Sequence, residues 1–178
     1  MSEFKYKHGL CVMRAQPFHN GHQKLIDKML SECKCVTIVL GSIQEAGTEH
    51  NPFDYETRKT MITNVYEKSE AFQRLHICGL ADINRPNEWG KYVLQCVKDK
   101  YHTEDTPDVY YAGSIADALC FKFCCKCVEI VDRNDPSSPL VSGTMLREMM
   151  RFNDARWKNF VPVENNNLIE KYFKKKAK

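Results

Sequence analysis

The stretch Leu10–Ile26, "LCVMRAQPFHNGHQKLI", decides how the rest of the chain is read. Leu10 to Arg14 form an apolar run that reads as a buried strand. From Gly21 to Cys33 the period changes, and Leu25, Ile26, Met29 and Leu30 fall on one face of a helix. Between the two lie His19 and His22, bracketing Asn20-Gly21. Where a strand gives way to a helix, free backbone N–H groups and the positive end of the helix dipole point outward. Gly21 lets a phosphate approach that backbone closely. Two histidines three apart at a helix start share a face, and each can donate to a phosphate oxygen. A zinc pair is the weaker reading, because zinc-binding helices space their histidines four apart around a glutamate.

Working outward, strand and helix patterns alternate. Val36–Gly41 (VTIVLG), Leu75–Gly79 (LHICG), Val109–Gly113 (VYYAG) and Cys127–Asp132 (CVEIVD) read as four more strands. Asp54 caps a helix running to about Lys68, with Met61, Ile62 and Val65 facing inward. Further helices are expected over Glu88–Lys98, from a Ser114 cap to Lys122, over GTMLREMMRF after a Ser142 cap, and over Leu168–Lys175. Five strands interleaved with helices predict an α/β fold. The expected architecture is a single, Rossmann-like domain with a doubly wound parallel sheet of about five strands. That domain covers residues 1–172, followed by a lysine-rich tail over 173–178. In such sheets ligands bind at the carboxyl ends of the strands, where the strand order switches.

Composition narrows the function classes. At 178 residues the chain suffices for one well-cored domain, and no run of about 18 apolar residues points to a membrane span. The start of the chain lacks the long apolar segment of a secretory signal, so a cytoplasmic protein is expected. The net charge is +3, but the terminal "KYFKKKAK" alone holds five lysines. Without that segment the balance is slightly negative, so no nucleic-acid partner is expected. Nine cysteines, an odd number, read as free thiols in a reducing compartment rather than as a disulfide framework. The cluster Cys120, Cys124, Cys125 and Cys127 has no regular paired spacing and no histidine nearby, so no metal site is assigned to it.

"SGTMLREMM", from Ser142 to Met150, repeats the logic of the first motif. Ser142, Gly143 and Thr144 form a helix start rich in donors, and Arg147 lies one turn in, able to reach an anion there. Ser142 as a bare helix cap is the plainer alternative. Taken together, the two helix starts suggest a polyphosphate held between them.

These residues carry a resemblance. HxGH followed much later by SGTxxR is similar to the signature pair of the nucleotidylyltransferase superfamily, across nearly the whole chain. Within it the chain most resembles nicotinamide-nucleotide adenylyltransferases of the archaeal type, which read RFQPFHxGH, GSxQ…NPFxxxER and YSGTxxR. The matching positions are Arg14 to His22, Gly41-Ser42-Ile43-Gln44, Asn51-Pro52-Phe53 and Arg58. "DINRPNEW" resembles the family's DIxxNxxW through Asp82, Ile83, Asn87 and Trp89, and "YAGS" at Tyr111–Ser114 resembles its YSGN. The chain departs from the family at Met13 (usually glycine), Ala15 (usually phenylalanine), Ala46-Gly47 (usually serine-histidine) and the "SSPLV" that precedes SGT.

The resemblance implies transfer of AMP from ATP to nicotinamide mononucleotide (NMN), giving NAD and pyrophosphate. It implies a catalytic group of His19, His22, Arg14 and Arg147, with His22 nearest the reacting centre. ATP contacts are implied for Gln16, Phe18 and Gly21 at the first motif, Gly113 and Ser114 in the middle, and Ser142, Gly143 and Thr144 at the last. NMN contacts are implied for Gly41, Ser42 and Asn51, and for Asp82, Ile83, Asn87 and Trp89. Mg²⁺ would ride on the triphosphate without a dedicated protein cage, and the family's habit implies a homo-oligomer. Other readings stay open. The acceptor is another phosphate (pantetheine phosphate, FMN or nicotinate mononucleotide), or the chain is a nucleotide sensor without turnover. Trp89 packs on Val93 as ordinary core, Asn87 caps a helix, Asn51-Pro52-Phe53 is simple turn chemistry, and Arg58 binds phosphate or pairs with Asp54 or Glu56.

Overall fold

Five short β-branched and apolar runs pair side by side, all parallel. They are β1 (Tyr6–Met13), β2 (Cys33–Leu40), β3 (Leu75–Gly79), β4 (Val109–Ala112) and β5 (Cys127–Ile130), in the order β3-β2-β1-β4-β5. The computed structural model describes residues 4–101, 106–131 and 140–176. Among the described residues six helices accompany the strands: α1 (Asn20–Glu32), α2 (Tyr55–Tyr66), α3 (Pro86–Tyr101), α4 (Ile115–Phe121), α5 (Gly143–Arg151) and α6 (Asn166–Lys176). Short 3₁₀ turns cover Glu70–Arg74, Ala155–Phe160 and Val163–Asn165.

Alternation along each strand divides the core into two layers. Cys11, Met13, Val36, Ile38 and Leu40 face one way, against Ile26 and Met29 of α1, Met61 and Ile62 of α2, and Leu146 of α5. Leu10, Val39, Tyr110 and Ala112 face the other way, against Val93 and Val97 of α3 and Phe121 of α4. Tyr110 stacks flat on Phe121 with ring centroids 3.6 Å apart. Each fully buried side chain of this size contributes about 1.5–3 kcal/mol, so the sheet is held from both faces. The expected doubly wound sheet is therefore present. The order turns back at β1: β2 and β3 lie on one side of it, β4 and β5 on the other.

Several boundaries differ from the sequence reading for reasons of tertiary pairing. Cys33, read as the last residue of a helix, instead starts β2 directly after α1, because it pairs with Tyr6. β1 begins four residues early for the same reason, so polar Tyr6, Lys7 and His8 join a strand that hydrophobicity alone starts at Leu10. α3 starts at Pro86 rather than Glu88, since proline at the first helical position loses nothing. Asn87 consequently sits inside the first turn and is not the cap. The expected end of the fifth strand at Asp132 and most of the loop before Ser142 lie outside the described residues. α6 runs on through residue 173, where Phe173 meets Phe53 edge-on at 5.9 Å. Among the described residues no helix is long and apolar enough to cross a membrane.

One close approach sets the position of α3. A Cβ added to buried Gly90 would stand 2.1 Å from the carbonyl oxygen of Cys120 in α4. Gly90→Ala gains about 1 kcal/mol of helix propensity but overpacks the α3–α4 contact by about 2–3 kcal/mol. A lower midpoint in urea unfolding is the expected outcome, and an unchanged or higher midpoint would show that α4 yields easily.

Candidate active site

At the carboxyl end of β1 the chain turns through Arg14, Ala15 (φ 50°) and a cis Gln16-Pro17 bond before α1 begins. His19 is the N-cap of α1, and the two motif histidines cap it reciprocally. His22 N–H donates to His19 Nδ1 at 3.3 Å, and His19 N–H donates to His22 Nδ1 at 3.4 Å. This is a capping box with imidazoles in place of the usual serine and glutamate. In the neutral form, a ring whose Nδ1 accepts carries its proton on Nε2. The rings stack at 3.7 Å, and buried Phe18 lies behind His22 at 5.7 Å.

The second helix start comes to the same place. Ser142 caps α5, accepting from Met145 N–H at 3.2 Å. A Cβ on Gly21 would lie 3.1 Å from the His19 ring and 3.4 Å from Val141, so the approach to α5 abuts the tip of α1. A Cβ on Gly143 would lie 3.0 Å from the Gln16 carbonyl oxygen, so a larger residue at this helix start would crowd that carbonyl. Arg147 donates to that same carbonyl at 2.9 Å and to Thr144 Oγ1 at 3.1 Å. Burial lowers the pKa of the Arg147 guanidinium, and the neighbouring charge of Arg14 lowers it further. Arg14 is exposed, and neither arginine forms a side-chain ion pair among the described residues. Two guanidinium groups close enough to repel, at a helix tip bearing two imidazole donors, favour a multiply charged anion.

β4 closes the other side of the cleft, since the strand order switches between β1 and β4. Gly113 N–H donates to Asp117 Oδ2 at 3.0 Å, and Ser114 Oγ accepts from Asp117 N–H at 3.1 Å. Tyr110 OH also donates to Asp117, at 2.8 Å. Asp117 was not singled out in the sequence, although its place three after a serine cap marks a capping box.

On the β2 and β3 side, Ser42 takes a left-handed conformation (φ 55°) just after Gly41. Its N–H and Oγ donate to the Asp82 carboxylate at 3.2 and 2.6 Å. Asp82 N–H donates in turn to Gln44 Oε1 at 3.1 Å, so the loops after β2 and β3 are laced together. Ile83 and Trp89 are half-buried and Asn87 is exposed. Trp89 packs against the α3 layer of the core, with its ring centroid 6.0 Å from that of Tyr92.

Three residues sit differently from expectation. The Gln16 side chain, expected among the ATP contacts, is buried. It bonds both backbone groups of Phe53, through Nε2 to the carbonyl at 2.8 Å and Oε1 from the N–H at 2.9 Å. Asn51, expected among the NMN contacts, is buried; its Nδ2 donates to Glu45 at 2.7 Å and its N–H to Thr48 Oγ1 at 2.9 Å, the turn chemistry of the plainer reading. Arg58 neither faces phosphate nor bonds a carboxylate. With no exposed surface it donates to the carbonyls of Arg14 (2.8 Å), Gly41 (2.7 Å), Ser42 (3.4 Å) and Asp54 (3.3 Å). No short sequence pattern marks an arginine whose partners are main-chain carbonyls of three separate segments.

Away from the cleft the candidates are structural. None of the nine cysteines forms a disulfide, and burial pushes the Cys78 thiol up to about 11 and the Cys125 thiol up to about 12, which keeps both protonated. Among the described residues no three His, Cys, Asp or Glu side chains converge as metal ligands. A surface hollow lined by Glu70, Ala71, Gln73 and Arg74 lies at the start of β3, the end of the sheet remote from the cleft. Its Arg74 is committed to the carbonyls of Leu30 and Cys33 at the end of α1.

A parallel sheet whose switch point opens between two donor-rich helix tips is the architecture of a nucleotidyltransferase, and the chain belongs to the cytidylyltransferase-like family, matching it over residues 11–149. Within that class it belongs with the nicotinamide-nucleotide adenylyltransferases. It is 31% identical over 157 residues to the enzyme of that name from Thermococcus kodakarensis, covering 88% of this chain and 78% of the relative. To the one from Thermoplasma acidophilum it is 28% identical over 165 residues, covering 91% and 84%. Among solved structures, it shares its fold with a bifunctional NMN adenylyltransferase/ADP-ribose pyrophosphatase from Francisella tularensis, complexed with AMP and a manganese ion. The TM-score is 0.72 at 23% identity, over 88% of this chain. This chain spans only 44% of that larger protein.

Proposed function

We propose that the protein is a nicotinamide-nucleotide adenylyltransferase that joins NMN to the AMP portion of Mg²⁺-bound ATP in the cytoplasm, working as a homo-oligomer. The observation that carries this reading is the meeting of the α1 and α5 tips at the end of β1, with Arg14 and Arg147 forming no side-chain ion pair among the described residues. A 5′-phosphate oxygen of NMN attacks the α-phosphorus of ATP. A new P–O bond forms to the α-phosphorus as its bond to the bridging oxygen of the β-phosphate breaks, and pyrophosphate leaves with that oxygen. The nucleophile is already anionic, so no protein group has to accept a proton from it. Catalysis is then positioning and neutralisation of charge that grows on the phosphates.

The Nε2–H groups of His19 and His22 serve as fixed donors to phosphate oxygens. Arg14 bridges the phosphates from the end of β1, and Arg147, with Ser142 and Thr144, holds the departing pyrophosphate. Gly41, Ser42, Asp82 and Ile83 shape the acceptor end, where Trp89 offers an aromatic face to the cationic nicotinamide ring. Incubation with ATP, Mg²⁺ and a panel of acceptors tests the reading: NMN, nicotinate mononucleotide, pantetheine phosphate and FMN. Pyrophosphate release with NAD formation is expected from NMN, and absence of release with NMN would overturn the assignment. Trp89→Ala is expected to raise the KM for NMN several-fold more than that for ATP. Equal shifts in both would return Trp89 to core packing.

A further inference from the structure

We infer that Gln16 is a positioning residue that ties the acceptor-side loop to Arg147 and so sets the two halves of the cleft in register. The inference rests on the adenylyltransferase reading above. Gln16 has 3% of its surface exposed and three hydrogen bonds of good length, two from its side chain to the Phe53 backbone and one to its carbonyl from Arg147. Its side-chain amide makes a two-bond bridge with the backbone of Phe53, donating one bond and accepting the other. Its own carbonyl, on the same residue, accepts from Arg147 Nη1. Only a primary amide supplies a donor and an acceptor side by side for the Phe53 peptide groups.

Both ends of this link are otherwise fixed. Phe53 is fully buried, and its ring packs against Tyr172 at 4.6 Å and against Phe173 at 5.9 Å, both on α6. Tyr172 OH donates to the carbonyl of the preceding residue, Pro52. At the other end Gly143, the first residue of α5, lies so near the Gln16 carbonyl that a Cβ there would stand 3.0 Å from its oxygen, and Arg147 donates to that oxygen from one turn later. The path from α6 through Phe53 and Gln16 to Arg147 is therefore continuous and packed throughout. It joins the loop between β2 and α2, which borders the acceptor end, to the guanidinium assigned to leaving pyrophosphate. An in-line transfer needs those two parts in mutual register, and a misplacement of about 1 Å costs on the order of a hundredfold in rate.

Removing the amide orphans the buried N–H and carbonyl of Phe53 and frees the Gln16 peptide to rotate, so Arg147 loses its anchor. The test is a double-mutant cycle on the full chain with Gln16→Met, which is close in size and makes neither bond, and Arg147→Ala. Turnover number and KM for both substrates are read alongside thermal melting. Gln16→Met is expected to lower kcat about tenfold or more, with less than about a threefold change in KM for ATP. In the Arg147→Ala background it is expected to add less than about a twofold further loss, because the anchored group is already gone. A loss that multiplies fully in that background overturns the inference. So does a loss confined to the KM for ATP that persists there, which would make Gln16 a direct ATP contact. Should Gln16→Met not fold, Gln16→Glu takes its place: it keeps the acceptor for Phe53 N–H and gives up the donor. The same non-additivity with Arg147→Ala is expected of it, and additivity again overturns the inference. Wild-type turnover separates the two levels. No pyrophosphate release from NMN by the wild type strikes the adenylyltransferase reading, whereas normal wild-type turnover matched by Gln16→Met strikes only this link.

Discussion

Arg58→Met is expected to lower the stability of the fold by about 2–4 kcal/mol, the largest effect of any single side chain outside the hydrophobic layers. The reason lies in which carbonyls are left behind. Ser42 O also accepts from Glu45 N–H, and Asp54 O from Arg58 N–H, so those two keep a partner. The carbonyls of Arg14 and Gly41, at the ends of β1 and β2, have Arg58 as the donor they face. Each buried carbonyl left unpaired costs about 1–3 kcal/mol, partly offset because a buried guanidinium no longer has to be desolvated. Burial lowers the pKa of this guanidinium, a direction that follows from removing a charge from water, only partly countered by Asp54 and Asp82. Lysine does not substitute, since one ammonium cannot match a planar fork that reaches three segments. For a chain of this size the loss corresponds to a fall in melting temperature of roughly 5–15 °C. A melting temperature within about 2 °C of wild type would mean that water or a neighbouring N–H satisfies both carbonyls.

The second large effect is kinetic. His22→Ala is expected to lower turnover about a hundredfold or more, the usual loss when one donor to a charge-developing oxygen is removed. The same change deletes the acceptor for His19 N–H and with it half of the cap of α1, at about 1 kcal/mol. His22→Gln separates the two roles. Glutamine is the ordinary residue at this capping-box position, so the melting temperature should recover while turnover does not. Turnover within threefold of wild type in His22→Ala would remove His22 from the phosphate chemistry altogether.

The sequence reading and the structure agree where information is local. All five strands, and the caps at Asp54, Ser114 and Ser142, follow from apolar period and from side chains that bond their own helix start. The two donor-rich helix tips could likewise be picked out, because glycine, serine and histidine at a strand-to-helix turn have a direct physical use. What could not be read was fixed by distant partners. Gln16 and Arg58 look like ligand-binding residues in a motif, yet both spend their polar atoms on backbone far away in sequence. The first residues of β1, Tyr6, Lys7 and His8, lie outside the apolar run and become strand through pairing with β2. The 3₁₀ turn holding buried Trp157 has no periodic signal at all.

The placement of β1 in the middle of the sheet has a consequence for biosynthesis. Its first neighbour, β2, follows one helix later, whereas β4 is separated from it by nearly a hundred residues. A nascent chain can assemble β1, β2 and β3 while the far margin of β1 stands bare, and at ribosomal speeds of about 5–20 residues per second the interval from Leu40 to Val109 lasts roughly 3–14 s. The nucleotide cleft thus comes into being only after β4 has emerged, and until then its floor is an open strand edge on which an unfinished chain is apt to aggregate.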